Sequence, residues 1–285
     1  MKAPYPDHPV DRSLVESSLG QVVYQDPDHT ITTSDVFGVL LAGGLAVYIS
    51  GGAPRDWLCG RKSKDLDVYV DRDLDTVRKL LREAFPDLDL VAFSLESFGF
   101  LRWGGDGDGA LDISILRSYR DIRNQQMWTT RFPARSDLVE DALMRDFSVN
   151  AFYYDLTDHK LLDPLSCGLD DLRRKRLRLI AHPAVLASSY RTSLRIIQFL
   201  CRGYELAAVT SQYLRRSADR DVEGMGEKRL RYFFKTNVVG KGFDPNEFRS
   251  RLAPWLREDA ARRLLDQVTA ESLTEGDGAE NPTPQ

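Results

Sequence analysis

The strongest pattern in the chain is an alternation of apolar and polar residues on either side of a glycine pair. Residues 47–49 form a β-branched and aromatic run, Gly51-Gly52 interrupts it, and apolar side chains return at every second position over residues 65–70. Such alternation predicts strands with one buried face. The segment therefore predicts a strand, a glycine turn, a short helix and a second strand, in which Asp65 and Asp67 share one face.

Helical periodicity surrounds this segment. Ser34 or Asp35 can cap a short helix that Gly43-Gly44 ends. After the second strand, apolar residues spaced three to four apart predict an amphipathic helix over residues 74–85. Pro86 stops this helix because proline lacks the backbone N–H that the next turn would need.

Two further alternating runs predict a β-hairpin. The hairpin joins Phe93–Trp103 to Ala110–Leu116 through a turn rich in glycine and aspartate. On its second strand the three apolar residues of LDISI share one face, which leaves Asp112 on the other. Residues 119–137, which follow, are polar and irregular and predict a mobile loop.

The last third of the chain is helical by the same criterion. Apolar residues recur every three to four positions from Leu194 to Tyr204 and again over residues 257–273. We therefore predict the α+β class, with boundaries drawn from composition and periodicity. These are a proline-rich surface arm over 1–32, a mixed-sheet head domain over 33–181, a small all-α domain over 182–270 and a disordered tail over 271–285.

Composition narrows the class of protein. The chain has 285 residues, of which 42% are hydrophobic and 29% charged, and no run approaches the roughly 18 apolar residues of a membrane span. The N-terminus lacks the apolar core of a signal peptide, so we expect a cytoplasmic protein with no membrane partner. Its three cysteines and four histidines are scattered, which leaves carboxylates as the expected ligands of any metal.

The glycine turn and the Asp-x-Asp strand have complementary chemistry. Two carboxylates on one face repel each other, and Mg²⁺ takes oxygen ligands, usually one or two carboxylates together with substrate phosphates. Glycines let backbone N–H groups approach a phosphate closely, and Arg55 follows them in the chain. The glycine pair alone is typical of an ordinary turn, and the Asp-x-Asp strand alone is typical of a solvated strand end. Together they indicate a site for a metal-bound nucleoside triphosphate.

Residues 51–70, GGAPRDWLCGRKSKDLDVYV, resemble the signature GGxVRDxLLGxxxxDxD of the class II nucleotidyltransferase family. This family comprises the CCA-adding enzymes and the bacterial-type poly(A) polymerases. The resemblance implies a polymerase-β-like mixed-sheet head followed by an all-α neck and body. It also implies that the motif binds the triphosphate and two Mg²⁺ ions through Gly51, Gly52, Arg55, Asp56, Asp65 and Asp67. Pro54 and Cys59 depart mildly from the family pattern.

The same resemblance implies a third acidic ligand. In the family, the corresponding hairpin strand carries an acidic residue and is followed by an arginine, and Asp112 with Arg117 fits this pattern. Three carboxylates would complete a two-metal site, in which one ion activates the attacking oxygen and the other holds the leaving group. An exposed strand aspartate without a ligand role is the alternative interpretation of Asp112.

A second motif extends the resemblance. Residues 140–155, EDALMRDFSVNAFYYD, are similar to the family pattern EDLxRRDFTINAxxYD. The match implies that Arg145, Asp146 and Asn150, with Arg117, line the ribose and phosphate pocket. Met144 stands where the family has the first arginine of RRD, and the loss of that cation would weaken nucleotide binding or change which substrate fits.

The base-selecting motif of the family is degenerate in this chain. The family carries EDxxR before LRAxRF in its first neck helix, and we align this chain on Arg195, which we predict to bind the nucleotide. Ser188 and Ser189 then replace the acidic pair, Thr192 replaces the arginine and Gln198 replaces a later arginine. Hydroxyl groups cannot reproduce the hydrogen bonds of a carboxylate and a guanidinium. Selection of C and A by this device is therefore not expected.

The resemblance implies a template-independent nucleotidyltransferase that uses a nucleoside triphosphate as substrate and an RNA 3′ end of the tRNA type as acceptor. The RNA would contact two basic clusters, 173–178 and 228–241, the second with aromatic residues at 232–234. A solvated face over a buried aromatic core would give the same pattern. Two alternatives for the function are transfer to a non-RNA acceptor, such as a small molecule or a protein, and nucleotide or RNA binding without turnover.

Overall fold

The chain folds as two compact units. The computed structural model describes residues 7–63, 66–86, 91–95, 99–104, 111–118 and 137–268. The first unit comprises Met1–Leu172 and Ile180–Val185, and the second comprises Arg173–Leu179 and Leu186–Gln285. The predicted boundary between residues 181 and 182 falls inside the short second segment of the first unit. The predicted tail, 271–285, lies outside the described residues.

The first unit combines a mixed sheet with short helices, as the α+β prediction requires. Its strands are β1 (Asp7–His8), β2 (Val22–Gln25), β3 (Thr30–Thr32), β4 (Val47–Ser50), β5 (Asp67–Val70), β6 (Val91–Leu95), β7 (Phe100–Trp103), β8 (Leu111–Ile115), β9 (Tyr153–Asp155) and β10 (Lys160–Leu162). Its helices are α1 (Arg12–Leu19), α2 (Thr33–Ala42), α3 (Gly52–Leu58), α4 (Leu74–Ala84), α5 (Leu138–Ala142), α6 (Gly168–Arg173) and a 3₁₀ turn, Ser148–Asn150.

Eight of these strands form one sheet in the order β1-β10-β9-β4-β5-β8-β7-β6. Neighbouring strands are antiparallel except β5 and β8, which are parallel. In this register Ser50 lies opposite Asp67, Asp67 opposite Asp112, and Asp112 opposite Arg102. Because directly opposed residues point to the same face of a sheet, these four side chains form one row across its centre.

Both faces of the central strands are packed. On the face that carries the row, Tyr69 and Tyr153 belong to a core cluster with Leu138 and Ala142 of α5. On the opposite face, the apolar residues of the alternating strands are fully buried: Val47, Ile49, Val68, Val70 and Ile113. Full burial of one such side chain stabilises the fold by about 1.5–3 kcal/mol. The alternation in the sequence thus predicted which residues form the core.

Two expectations for the N-terminal region were wrong. Residues 7–32 are not a surface arm, because they contain α1 and the β2–β3 hairpin, they bury Val15, Val23 and Ile31, and β1 pairs with β10 at the sheet edge. Helix α2 is capped by Thr32 rather than by Ser34 or Asp35. The Thr32 side chain accepts from the backbone N–H of Asp35 while the Asp35 carboxylate accepts from that of Thr32, a capping box.

The predicted hairpin also differs from the observed one. Phe93–Trp103 is not one strand, because it contains the end of β6 and all of β7, and these two strands pair with each other in antiparallel fashion. Gly99, just before β7, has a φ of 60°, and a Cβ atom there would lie 2.4 Å from Ile115 Cγ1. The chain therefore reverses once more than the alternation indicated. The predicted turn over 105–110 and most of the predicted loop, 119–136, lie outside the described residues.

The second unit is mainly helical, as predicted. Helix α7 (Pro183–Ala187) spans the boundary between the units, and the second unit then contains α8 (Thr192–Cys201), α9 (Ala208–Phe233), α10 (Pro245–Leu252) and α11 (Asp259–Asp266). It also contains a π-helical turn (Phe234–Val238) and two 3₁₀ turns (Val239–Lys241 and Ala253–Trp255). Its two short strands, β11 (Arg176–Leu177) and β12 (Glu205–Leu206), pair in parallel. Helix α9 is interrupted at Gly226, whose φ is 65° and ψ 174°. Over the described ranges, no helix is both long and apolar enough to cross a membrane.

A buried carboxylate joins α8 to α9 inside the second unit. Asp221 is fully buried and accepts hydrogen bonds from the backbone N–H and the hydroxyl of Ser193, at 2.9 and 2.6 Å, and from Tyr213 Oη at 3.2 Å. Arg220 donates to the same carboxylate through Nε and Nη2. The charge of Asp221 is thus balanced by hydrogen bonds from every side, which a buried carboxylate needs.

We expect the stability of this unit to decrease between pH 10 and 12. Burial, and secondarily the charge of Asp221, raise the pKa of Tyr213 from 10.0 to about 12. A group whose pKa is higher in the folded than in the unfolded state stabilises the fold fully at pH values below its unfolded-state pKa. This stabilisation is lost as the pH rises through the folded-state pKa. The difference in unfolding free energy between wild type and Tyr213→Phe, measured in urea, should therefore fall by about 1–2 kcal/mol across this window, since partial exposure of the side chain weakens the effect. An equal stability difference between wild type and Tyr213→Phe at pH 10 and at pH 12 would contradict this role of Tyr213.

Candidate active site

The turn between β4 and α3 brings a carboxylate against the backbone. Gly51 has a φ of 74°, a conformation that favours glycine. A Cβ atom at Gly51 would lie 2.3 Å from Asp67 Oδ2. The absence of a side chain at Gly51 therefore lets the Asp67 carboxylate approach the start of α3.

We expect Gly51→Ala to lose activity for a reason beyond backbone strain, and Gly44→Ala is the matched control. Gly44 has nearly the same φ, 77°, but a Cβ atom there would meet nothing within 4 Å. Both changes should cost about 1–3 kcal/mol of stability in urea unfolding, because both force alanine into a left-handed conformation. Only Gly51→Ala should also displace the Asp67 carboxylate, and a displacement of about 1 Å can reduce a rate about a hundredfold. Equal activity of the two variants would contradict this role of Gly51.

Asp67 and Asp112 are brought together by the parallel pairing of β5 and β8. They are direct register partners, Asp67 is exposed and Asp112 is half-buried. Two carboxylates side by side on one face are oxygen donors of the kind that Mg²⁺ prefers, so the residues fit a divalent metal. Asp65, the third predicted ligand, lies outside the described residues. Within the described ranges, no cluster of three metal-ligating side chains is present.

Arg102 is a site residue that sequence reasoning missed. It lies opposite Asp112 on β7, and its Nε is 3.7 Å from Asp112 Oδ1. The guanidinium therefore partly neutralises the Asp112 carboxylate. The alternation of FLRW places Arg102 on the polar face, but the sequence alone could not supply the register that sets it beside Asp112.

Four of the predicted nucleotide-binding residues form a connected hydrogen-bonded group. Arg55 donates from Nη1 to Asn150 Oδ1 at 2.5 Å, and from Nε and Nη2 to Asp56 Oδ1 at 3.2 Å. Asn150 in turn donates to Asp146 Oδ1 at 2.9 Å. Helix α3 and the 3₁₀ turn Ser148–Asn150 are thereby locked together, and the Arg55 guanidinium is held in one orientation.

Arg145 occupies a different environment from the predicted nucleotide pocket. Its guanidinium is buried, donates to Tyr153 Oη and Asp141 Oδ2, both at 2.9 Å, and lies 4.3 Å from the centre of the Tyr69 ring. Tyr153 also donates to Asp141 Oδ2, at 2.6 Å. Burial raises the pKa of Tyr153 well above its usual range, so the phenol stays protonated as this donor. The contacts indicate that Arg145 supports the site from within the core.

Arg117 and Met144 adjoin the same core. The backbone N–H of Arg117 donates to Asp141 Oδ1 at 2.9 Å, and its Nε lies 3.9 Å from that oxygen. This contact fixes the residue that follows β8, the strand of Asp112. Met144, which stands at the position of a family arginine, is buried at 6% exposure. A methionine suits this apolar position without a charge partner, whereas a buried cation would need one.

The positions of the degenerate neck motif belong to the second unit and make local contacts. Thr192 Oγ1 donates to Ser189 Oγ at 3.2 Å, and Gln198 Nε2 donates to the backbone carbonyl of Asn237 at 2.6 Å. Thr192 and Gln198 are both buried. These contacts give the two side chains structural roles in α8. Arg195, on the same helix, is half-buried, and its predicted nucleotide contact stays a prediction.

The aromatic residues of the second basic cluster divide into two environments. Phe233 and Phe234 are buried and pack against Phe248, with ring centres 6.2 and 5.1 Å apart. Only Tyr232 of the three is exposed, at 46%. A solvated basic face over an aromatic core therefore explains most of this pattern, and base stacking by Phe233 and Phe234 is excluded by their burial.

Comparison with known proteins finds relatives that match the head of this chain. Residues 47–178 match the Poly A polymerase head domain family. The chain is 28% identical over 185 residues to Poly(A) polymerase I of Salmonella typhi, and this match covers 63% of this chain and 36% of that protein. It is 29% identical over 178 residues to the CCA-adding enzyme of Bacillus pumilus, and this match covers 61% of this chain and 41% of that protein. The fold resembles that of the Thermotoga maritima CCA-adding enzyme complexed with tRNA, with a TM-score of 0.63, 20% identity and coverage of 88% of this chain and 55% of that chain.

The head is thus of the nucleotidyltransferase class. More particularly, residues 47–178 are similar to the head domain of the class II nucleotidyltransferase family, the CCA-adding enzymes and poly(A) polymerases, as the two sequence motifs predicted. The chain spans well under half of the length of the two curated relatives named above. The structural likeness, at 20% identity, shows the fold.

Proposed function

We propose that this protein transfers a nucleoside monophosphate from a nucleoside triphosphate to the 3′ hydroxyl of an RNA. The observation that carries the proposal is the pairing of Asp67 with Asp112 beside the backbone of Gly51. This arrangement combines converging carboxylates with a turn that leaves room for phosphates. The similarity to CCA-adding enzymes and poly(A) polymerases supports the same reaction class.

The reaction is an in-line displacement at phosphorus. The acceptor oxygen forms a bond to the α-phosphorus, the bond from that phosphorus to the bridging oxygen breaks, and pyrophosphate leaves with the electron pair while the hydroxyl proton passes to solvent. Asp65, Asp67 and Asp112 would hold two Mg²⁺ ions, which when bound activate the attacking oxygen and neutralise the leaving group. We assign the third ligand, Asp65, from the motif.

The residues around the carboxylates position the triphosphate. Gly51 and Gly52, at the start of α3, would offer backbone N–H groups to the phosphates. Arg55, oriented by Asn150 and Asp56, supplies a fixed guanidinium, and a fixed donor loses little freedom when it binds. Arg117 borders the same pocket, whereas Arg145 maintains the core beneath it through Asp141.

The proposal is tested by transfer of label to RNA. The full chain is incubated with Mg²⁺, total RNA and each of four α-labelled nucleoside triphosphates in turn, beside the same RNA after periodate oxidation of its 3′ ends. We expect label in intact RNA with at least one triphosphate and none in oxidised RNA. Label in neither would contradict the RNA-extension proposal.

A second candidate function is transfer to a non-RNA acceptor. It is favoured by the local contacts of Thr192 and Gln198, since these replace the residues that select C and A in the family. Release of pyrophosphate from a triphosphate with cell extract freed of RNA, but not with RNA, would support this candidate. Binding of nucleotide without pyrophosphate release under either condition would favour the non-catalytic alternative.

A further inference from the structure

A cleft in the second unit combines an aromatic side chain with two cations. It has a volume of about 250 Å³ and is lined by Arg215 of α9, by Pro254 and Trp255 of a 3₁₀ turn, and by Arg257. Both arginines are exposed, and Trp255 is half-buried with part of its side chain open to solvent. The cleft lies within the helical unit and uses none of the residues assigned to the nucleotide site.

The cations of the cleft are available to a ligand. Neither Arg215 nor Arg257 makes an ion pair or a side-chain hydrogen bond with another described residue. The Asp219 carboxylate accepts from the backbone N–H groups of Arg257 and Glu258, at 2.9 and 3.1 Å, rather than from the Arg257 side chain. Among the described residues, the two guanidinium groups therefore have no intramolecular anion that a ligand would need to displace.

The walls of the cleft are fixed before any ligand binds. The contacts of Asp219 attach the segment after Trp255 to α9, and Arg262 donates to the carbonyl of Leu256 from Nε at 3.1 Å and from Nη2 at 2.8 Å. Leu256 itself is buried at 1% exposure. A site held in this way loses little conformational entropy on binding.

We propose that this cleft binds a single-stranded segment of the acceptor RNA, with a base stacked on Trp255 and the adjoining phosphates on Arg215 and Arg257. Every base has a flat face that can stack on an indole, and guanidinium groups bind phosphate through paired hydrogen bonds. A planar ring and two cations in one cleft suit a ligand that is both planar and anionic. The proposal deepens the RNA-extension function and rests on it for the identity of the partner.

The test measures the binding of a fluorescent single-stranded RNA of twelve nucleotides to the full chain, without nucleoside triphosphate or Mg²⁺, at several salt concentrations. Trp255→Leu should raise Kd about tenfold, and Trp255→Phe should restore most of the affinity because it keeps a stacking surface. Arg215→Gln and Arg257→Gln should each reduce the slope of log K against log salt by about 0.7. The matched controls Arg216→Gln and Arg263→Gln remove exposed cations outside the cleft and should leave the slope unchanged.

The outcomes separate this inference from the proposed function. Cleft variants that bind RNA like the two controls would overturn the inference, even where label transfer to RNA is observed. RNA binding that depends on the cleft, without label transfer, would support the inference and contradict the proposed function. A poly-glutamate peptide that competes with RNA for the protein, together with an unchanged Kd for RNA in Trp255→Leu, would overturn the inference in favour of an acidic protein partner.

Discussion

The double substitution Asp67→Asn/Asp112→Asn is expected to reduce nucleotide transfer to RNA by about a thousandfold or more. Asparagine keeps the size of each side chain but removes the two charges that lie in register across β5 and β8. Metal ions in such sites supply several kcal/mol of stabilisation to the transition state, and about 4 kcal/mol corresponds to a thousandfold in rate. The single-turnover rate of label incorporation measures the effect.

The matched control for this variant is Asp75→Asn/Glu83→Gln. Both of these carboxylates lie on α4 in the same unit and are exposed, so the control removes the same charge on a helix that contributes no residue to the row. It should retain the wild-type rate. A double variant at Asp67 and Asp112 that is folded by circular dichroism and transfers label within tenfold of wild type would contradict the assignment.

The second large effect is expected in stability, at the buried pair of Asp141 and Arg145. Asp141 is fully buried and accepts from Arg145, from Tyr153 and from the backbone N–H of Arg117. Asp141→Ala leaves a buried guanidinium without its charge partner, and the removal of one member of a buried pair costs about 3–5 kcal/mol. Urea unfolding should show this loss, together with reduced activity, because Arg117 loses its anchor.

An exposed ion pair provides the comparison for Asp141. Glu247 and Arg251 on α10 are joined at 2.9 Å with both side chains more than two-fifths exposed, and Glu247→Gln should cost less than about 1 kcal/mol. The apolar double variant Asp141→Leu/Arg145→Met should recover part of the loss, since it removes the buried Arg145 guanidinium together with its charge partner. An Asp141→Ala protein as stable as the Glu247→Gln variant would show that the buried pair does not stabilise the fold.

The site segment was predictable because its elements are local. The alternation on either side of Gly51-Gly52 predicted β4, α3 and β5, and the structure confirms all three. Alternation also predicted the polar face of Asp112. Helix α4 was confirmed for the same reason, since its buried residues Leu74, Val77 and Leu81 recur at helical spacing.

The features that the sequence did not predict depend on contacts between distant segments. The place of Arg102 beside Asp112 depends on the register of β7 against β8. The β1 strand consists of two residues, too few for periodicity, and it exists because β10 offers a free edge. Arg145 matched a nucleotide-binding motif, but its burial depends on Tyr69 and Asp141 packing around it, which no local pattern shows.

The most direct test of the central claim is the binding of Mn²⁺ by electron paramagnetic resonance, in the presence of α,β-methylene ATP, which cannot be transferred. In the presence of the nucleotide, the wild-type chain is expected to bind two Mn²⁺ ions. The amount of bound Mn²⁺ should exceed the amount that the nucleotide binds without protein, and Asp67→Asn/Asp112→Asn should abolish this excess. Equal Mn²⁺ binding by the wild type and the double variant would contradict a metal-bound nucleotide at Asp67 and Asp112.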